Sequence, residues 1–212
     1  MKFEEFLHRV GYLSVIDSKN LSAGMADAKA LKVQLTRWVK SGKLIQLKRG
    51  IYLLAPLYRK IQAYEPHLAS LLTYPSYISL EKALEFHGLI PERVTVFTSV
   101  TTKRPYLYES SAGNFEYQHI QQSLFWGYEA VTMREQTAFF ACPEKALLDF
   151  FYLRKVPVTQ NYIVEMRLQN VEDVSLRKLL EYAKRFGKPR MLHAARMIRE
   201  YIISYRKGEV SL

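Results

Sequence analysis

The sequence predicts an α+β protein, with an N-terminal winged helix-turn-helix followed by a mixed α/β domain with C-terminal helices. Three observations predict this class. Asp27–Leu54 has the pattern of a helix followed at once by a tight hairpin. Short β-branched and aromatic segments follow between residues 94 and 133, and helical periodicity dominates after residue 143. With 212 residues, 49% of them hydrophobic, the chain can form two domains, which we place at 1–58 and 59–212.

Two short helices are predicted before the hairpin unit. The apolar spacing from Phe3 to Val10 is helical, and Gly11 ends this first helix. Asp17-Ser18 can cap a second helix that runs to Ala23. A turn at Gly24–Ala26 then leads to the third helix, so the order of elements is that of a winged helix-turn-helix.

The third helix has one apolar side and one basic side. Asp27 is the expected N-cap, because its carboxylate can accept a free backbone N–H of the first turn. The apolar stripe, in which Trp38 is expected to lie in the core, consists of Leu31, Leu35, Trp38 and Val39. The opposite side carries Lys29, Lys32, Thr36, Arg37 and Lys40.

A hairpin with a basic tip follows. Gly42 is placed to end the helix in a left-handed conformation. Lys43–Leu47 and Ile51–Leu54 are the predicted strands, joined by Lys48-Arg49-Gly50, where Gly50 supplies a positive φ. A basic helix face beside a basic hairpin tip suits duplex DNA, with the helix in the major groove and the hairpin along the phosphates. An ordinary solvated helix face is the alternative interpretation.

The predicted DNA-binding residues are therefore those of the basic helix side and the hairpin. They are Lys29, Lys32, Thr36, Arg37, Lys40, Lys43, Lys48 and Arg49.

The second domain is predicted to begin after a connection at Pro56–Pro66. Ser79 is the expected cap of a helix that ends at Gly88. A helix opened by Pro143 is apolar on nearly every side and should be central to the second core. The strand candidates are Val94–Thr101, Tyr106–Glu109, Asn114–Ile120 and Tyr128–Met133, with a hairpin turn at Ser110–Gly113.

The C-terminal helices have apolar stripes and a basic exterior. Leu176–Phe186 and the segment after Pro189 each have helical periodicity, separated by a break at Gly187. The outward positions include Lys178, Lys184, Arg185, Arg190, Arg196, Arg199 and Arg206. This surface is either a solvated face or a second polyanion-facing surface, acting on DNA, on a toxin or on the toxin's nucleic-acid substrate.

Charge is concentrated at the two ends of the chain. The formal net charge is +11, which points to a polyanionic partner, with nucleic acid favoured over an anionic membrane surface. Residues 1–55 carry a net +6, residues 56–160 a net 0, and residues 161–212 a net +5.

A single cysteine excludes an internal disulfide, and no apolar run approaches the ~20 residues that cross a bilayer. We expect a cytoplasmic protein without membrane contact, monomeric in solution.

The sequence has few features that point to catalysis. It contains neither phosphate-binding glycine motif, and its five histidines are never four residues apart, so we expect no cofactor, no metal and no enzyme activity. Cys142 is expected to be a small buried residue, and Asp149 to pair with Lys145 one helical turn back or with another basic neighbour. A nuclease that uses Glu109, Glu116 and Asp149 is the rival interpretation.

Four segments resemble the AbiEi family of bacterial antitoxins from type IV toxin–antitoxin systems. They are WVKSGKLIQLKRGIYLL (Trp38–Leu54), YPSYISLEKALEFHGLIPE (Tyr74–Glu92), VFTSVTTKRP (Val96–Pro105) and CPEKALLDFFYL (Cys142–Leu153). They are spread over about 115 residues in the family's order. The second and fourth together are the most specific, and the last fifty residues carry no matching motif.

This resemblance implies two activities. The winged helix would bind inverted repeats in the promoter of its own operon and repress transcription, and the C-terminal domain would aid cooperative DNA binding. The C-terminal domain would neutralise a cognate AbiEii-type nucleotidyltransferase toxin without forming a stable complex. A local transcription factor with no toxin partner is the other rival, and a nucleotidyltransferase reading frame immediately downstream would distinguish the two.

Overall fold

The computed structural model describes residues 1–23 and 28–208. Its N-terminal part contains three helices and a small antiparallel sheet of order β1-β3-β2. The elements are α1 (Phe3–Val10), β1 (Ile16–Asp17), α2 (Ser18–Ser22), α3 (Ala28–Lys40), β2 (Leu44–Lys48) and β3 (Ile51–Leu54). Asp17 caps α2 as predicted, since its carboxylate accepts the N–H of Lys19 at 2.8 Å. The predicted Asp27 cap and Gly24–Ala26 turn lie outside the described residues.

An aromatic cluster holds these helices together. The Trp38 ring lies 4.6 Å from that of Phe6 and 5.3 Å from that of Phe3, measured between centroids. Leu31 and Leu35 are buried on the same side of α3. This confirms that Trp38 belongs to the core, because the apolar stripe of α3 packs onto α1 rather than facing solvent.

In the rest of the described chain, helices pack against a six-stranded mixed sheet of order β6-β7-β5-β4-β9-β8. The strands are β4 (Ser76–Ile78), β5 (Val96–Thr101), β6 (Tyr106–Ser110), β7 (Gly113–His119), β8 (Tyr128–Met133) and β9 (Gln136–Ala141). The helices are α4 (Glu65–Leu72), α5 (Leu80–Phe86), α6 (Pro143–Leu153), α7 (Gln160–Glu165), α8 (Leu176–Arg185) and α9 (Pro189–Arg206). The predicted α+β content is confirmed.

Helices cover both faces of this sheet. Tyr117 lies beside Ser99, whereas Tyr77 lies beside Val100, so the two tyrosines point to opposite faces. The Tyr117 hydroxyl donates to the carbonyl of Ala69 on α4 at 2.7 Å. The Tyr77 hydroxyl donates to a carboxylate on α6. As predicted, α6 is central to the second core, with most of its residues buried.

The predicted role of Ser79 as a helix cap is wrong. Ser79 precedes α5, but its hydroxyl donates to Asp149 at 2.9 Å instead of accepting a backbone N–H. Thr98 of β5 replaces it: its hydroxyl accepts the N–H of Lys82 and donates to the Ser79 carbonyl. A strand neighbour can satisfy the helix end because the sheet brings it close, which spacing along the chain does not reveal.

The hairpin β2–β3 contacts both hydrophobic cores. Leu44, Tyr52 and Leu54 belong to the core around Trp38. Leu47 and Leu53, both buried, belong instead to the larger core of the sheet. The two parts of the described chain are therefore joined by the packed side chains of the hairpin as well as by the connecting residues 56–66. Within the described residues, no helix has the length and apolar character to cross a membrane.

Candidate nucleic-acid interface

The basic side of α3 faces solvent. Each of the predicted contact residues on this helix is exposed, namely Lys29, Lys32, Thr36, Arg37 and Lys40. They lie on this side because the stripe from Leu31 to Trp38 is buried against α1 and the hairpin. The Thr36 hydroxyl donates to the Lys32 carbonyl of its own helix at 3.0 Å, so it is left to act as an acceptor.

The hairpin tip lies against the start of α2. Gly50 has φ +90°, and its carbonyl accepts the N–H of Ser18 at 2.8 Å. The positive φ of Gly50 favours glycine, and a Cβ atom there would come within 3.3 Å of the Ser18 hydroxyl, so that side chain would have to shift slightly. Arg49 next to it is exposed.

A groove of about 510 Å³ separates the hairpin tip from α3. Lys32, Arg49 and Lys19 line it, so three elements contribute one basic side chain each. Sequence reasoning missed Lys19. Its position on the short helix α2 gives no sign of a basic surface, and only the contact between Ser18 and Gly50 brings it beside Arg49.

Lys48 does not belong to the exposed tip, contrary to the sequence prediction. Its ammonium group donates to the carbonyls of Leu71 at 2.7 Å and Leu72 at 2.9 Å, at the end of α4. Those carbonyls have no partner within their own helix, so an ammonium group is a favourable donor to them. Burial lowers the pKa of Lys48, and the nearby charge of Lys103 lowers it further.

Lys43 is half-buried and lies 4.6 Å above the Phe3 ring. The described structure thus leaves the predicted residues Lys29, Lys32, Thr36, Arg37, Lys40 and Arg49 exposed. It brings Lys32 and Arg49 into one groove with Lys19 and directs Lys48 elsewhere.

The predicted C-terminal basic surface is divided. Lys178, Lys184, Arg185, Arg190, Arg196 and Arg199 are all exposed, as predicted, but two of them also contact other parts of the fold. Arg185 lies over the Trp126 ring at 4.1 Å, and the Arg190 guanidinium donates to the carbonyls of Phe151 and Val156.

Arg206, predicted to point outward, also makes contacts within the fold. Its guanidinium donates to the carbonyls of Val171, Glu172 and Val174. The Phe151 carbonyl bound by Arg190 lies in the last turn of α6, where the helix itself supplies no donor. Both arginines are exposed and also bond to backbone carbonyls of the fold. Spacing along the sequence could not distinguish them from freely solvated arginines.

The predicted pair of Lys145 and Asp149 is confirmed, and both side chains are completely buried. Lys145 also donates to the Tyr77 hydroxyl at 2.8 Å, and Tyr77 and Ser79 both donate to Asp149 at 2.9 Å. Burial lowers the pKa of Lys145 and, together with Asp149, raises that of Tyr77 well above its ordinary value. These groups are arranged to satisfy one another, and a substrate has no access to them.

The carboxylates of the rival nuclease interpretation do not converge. Asp149 is paired with Lys145, Glu116 accepts from Arg154 at 2.8 Å, and Glu109 is exposed on β6. Among the residues that the structure describes, no three His, Cys, Asp or Glu side chains lie close enough to hold a metal ion. Cys142 is buried as predicted, and burial raises the pKa of its thiol to about 11.

Comparison with known proteins places no further constraint on this interface, because neither a protein-family model nor a curated protein matches the chain.

Proposed function

We propose that this chain is a winged-helix DNA-binding protein that reads duplex DNA with α3 and holds its backbone with the hairpin tip. The observation that carries the proposal is the single exposed region in which Lys32 on α3, Arg49 on the hairpin and Lys19 on α2 line one groove. Duplex phosphates are recognised by such clustered cations, whereas base edges are read by side chains of a helix in the major groove.

The order of elements supports the same proposal. Helices α2 and α3 are followed by the β2–β3 hairpin, and β1 completes a three-stranded sheet. In helix-turn-helix proteins the second helix of the pair enters the major groove. Arg37 and Lys32, both exposed on α3, are therefore the residues proposed to reach base edges.

The test is a binding titration with duplexes from the promoter region of the chain's own operon and with scrambled duplexes of equal length. Lys32→Ala and Arg37→Ala should reduce the preference for the promoter, since a lost bidentate base contact costs roughly 1–3 kcal/mol of discrimination. Lys19→Ala should weaken binding to both duplexes equally and lower the dependence of affinity on salt. An equal affinity of all three variants and the unchanged protein would refute the DNA interface.

We further propose that the protein represses its own operon and counteracts a nucleotidyltransferase toxin, as the resemblance to AbiEi antitoxins implies. The four segments that carry the resemblance support this part. Co-expression with the product of a neighbouring nucleotidyltransferase reading frame tests it, with growth as the readout. Failure to restore growth, combined with intact promoter binding, would leave a transcription factor without a toxin partner.

A further inference from the structure

Strand β6 forms one edge of the six-stranded sheet. It stands first in the strand order, and of the described strands only β7 pairs with it. The register from Tyr106 to Ser110 is unbroken, so no bulge turns this edge away from solvent. An edge strand presents a row of free N–H and C=O groups, which is a template for pairing with another strand.

The turn after β6 decides which of its backbone groups point outward. Ser110 pairs with Gly113 across a loop of two residues, a closure in which the two flanking residues exchange both hydrogen bonds. Antiparallel ladders alternate between hydrogen-bonded and non-hydrogen-bonded pairs, so every second residue back from Ser110 also bonds to β7. The N–H and C=O groups of Leu107 and Glu109 therefore point away from the sheet.

The side chains of this edge are apolar and exposed. Tyr106 is 58% exposed and Leu107 is 52% exposed. The ring centroids of Tyr106 and Tyr108 lie 4.3 Å apart on one face of the strand. Leu107, on the other face, borders a groove of about 550 Å³ whose described lining comes from β5, β6, β7 and Pro105, without a helix. At the opposite edge of the sheet, the exposed large hydrophobic residue described in β8 is Met133, at its end.

Opposite charges lie at the two ends of this edge. Natural edge strands are usually protected by an internal lysine, a proline or a covering element, and β6 has none of these within its described residues. Its charged residue, Glu109, lies near the C-terminal end, and Lys103 and Arg104 precede the strand. Nδ1 of His119 lies 2.9 Å from the Lys103 carbonyl, which keeps this basic segment alongside β7. An edge with this charge order is complementary to itself in the antiparallel orientation.

We propose that two copies of this chain associate by antiparallel pairing of their β6 strands about a twofold axis at Leu107. In this register Leu107 lies opposite the partner's Leu107, and each residue donates its N–H to the carbonyl of the other. Tyr106 lies opposite the partner's Tyr108, so aromatic pairs form across the interface on the other face.

The same register brings opposite charges together. Glu109 lies opposite the partner's Pro105, whose carbonyl can accept the Glu109 N–H although proline has no N–H to donate. The partner's Arg104 and the partner's Lys103 come next, so each carboxylate meets a basic segment. An axis at Tyr108 would instead place the two Glu109 carboxylates diagonally across from each other, which like charges disfavour. The inference does not depend on DNA binding, and it differs from the monomer expected from the sequence.

The test measures the mass of the full chain by sedimentation equilibrium over a range of protein concentrations, without DNA. The unchanged protein should shift from monomer to dimer as its concentration rises. Leu107→Lys should raise the dissociation constant of the dimer at least about tenfold, because two like charges then lie opposite each other. Val164→Lys makes the same kind of change at an exposed apolar residue of α7 and should leave the constant unchanged. Thermal melting of both variants confirms that the fold is retained.

Thiol cross-linking tests the register. In Leu107→Cys the two introduced thiols lie at the axis, where paired Cα atoms are about 5.5 Å apart, a separation that a disulfide spans. Mild oxidation should therefore link the two copies. In Tyr108→Cys each thiol lies opposite the partner's Tyr106, so much less cross-linked dimer should form. The native Cys142 is buried, and the unchanged protein gives the background.

A monomer at every concentration would overturn the inference, as would a dimer that Leu107→Lys leaves unchanged or that Val164→Lys weakens equally. Faster cross-linking in Tyr108→Cys than in Leu107→Cys would overturn the register. A monomer that binds a labelled peptide with the sequence of residues 103–111 would also overturn self-association and assign the edge to extended segments of other proteins. None of these results bears on promoter binding through α3, so this inference and the proposed function fail separately.

Discussion

Lys145 and Asp149 lie one turn apart on α6, and each satisfies the charge of the other where neither side chain has any exposure to solvent. Removal of one partner leaves a buried charge without compensation, which costs about 3–5 kcal/mol. We therefore expect Lys145→Met and Asp149→Asn each to lower the free energy of unfolding by that amount in urea titrations.

The double variant Lys145→Met/Asp149→Asn should lose much less stability than the sum of the single variants, because neither charge then remains. Tyr77 and Ser79 can still donate to the amide oxygen that replaces the carboxylate. Strictly additive losses in the double-mutant cycle would contradict the assigned coupling.

Adjacent residues at the hairpin tip should have different roles. Arg49→Ala should weaken DNA binding and lower the salt slope by about 0.9, since one phosphate contact is lost. Lys48→Ala should leave that slope unchanged and instead lower the free energy of unfolding, because the carbonyls of Leu71 and Leu72 lose their donor. A salt slope that falls in Lys48→Ala but not in Arg49→Ala would reverse the assignment.

Leu53→Gln should lower the stability of the full chain but raise the solubility of the fragment 1–58. In the full chain Leu53 is completely buried in the core of the sheet, so a polar amide there should lower the free energy of unfolding by several kcal/mol, roughly as large-to-small core changes do. In the fragment the partners of Leu53 are missing, and the substitution should improve solubility. Light scattering and urea unfolding measure the two effects, and equal destabilisation in both would argue against packing between the two parts.

Acid should remove the contribution of Glu116 to the free energy of unfolding. Hydrogen bonds from Arg154 hold the pKa of Glu116 below its ordinary value of 4.5, although burial opposes this effect. A carboxylate with a lowered pKa stabilises the fold above its ordinary pKa, and this stability is lost as the pH falls through the folded value. The difference in unfolding free energy between the unchanged protein and Glu116→Gln should therefore shrink from pH 7 toward about pH 3.

The matched control for this titration is Glu109→Gln, on the neighbouring edge strand β6, where Glu109 is exposed. It should change the free energy of unfolding little, because substitutions of exposed side chains usually do. A difference for Glu116→Gln that grows as acid is added would show that the ion pair with Arg154 does not stabilise the fold.

The sequence predicted what depends on local periodicity and turn chemistry. The stripe that contains Trp38, the glycine at position 50 and the apolar helix α6 are each encoded within one element, and the structure contains them as predicted. Strand β4 was missed because it has only three residues, all buried, so no alternation marks it. Helix α4 was also missed, and its first residues, Glu65 and Pro66, fall within the predicted connection.

The candidate interface was predicted less completely than the fold. The exposed side of α3 follows from periodicity, whereas the partners of Lys48 lie 23 and 24 residues away along the chain. Lys19 joins the groove only through the contact of α2 with the hairpin tip. Tertiary contacts of this kind decide which cations stay free, and residue type alone does not.

The double packing of the hairpin has a consequence for synthesis on the ribosome. Chains emerge at roughly 5–20 residues per second, N-terminus first. The core around Trp38 can form once Leu54 has emerged, but the face with Leu47 and Leu53 stays uncovered until residues of the larger core follow. For several seconds the nascent chain therefore presents two leucines to its surroundings, and a chaperone that binds apolar segments has its opportunity during that interval.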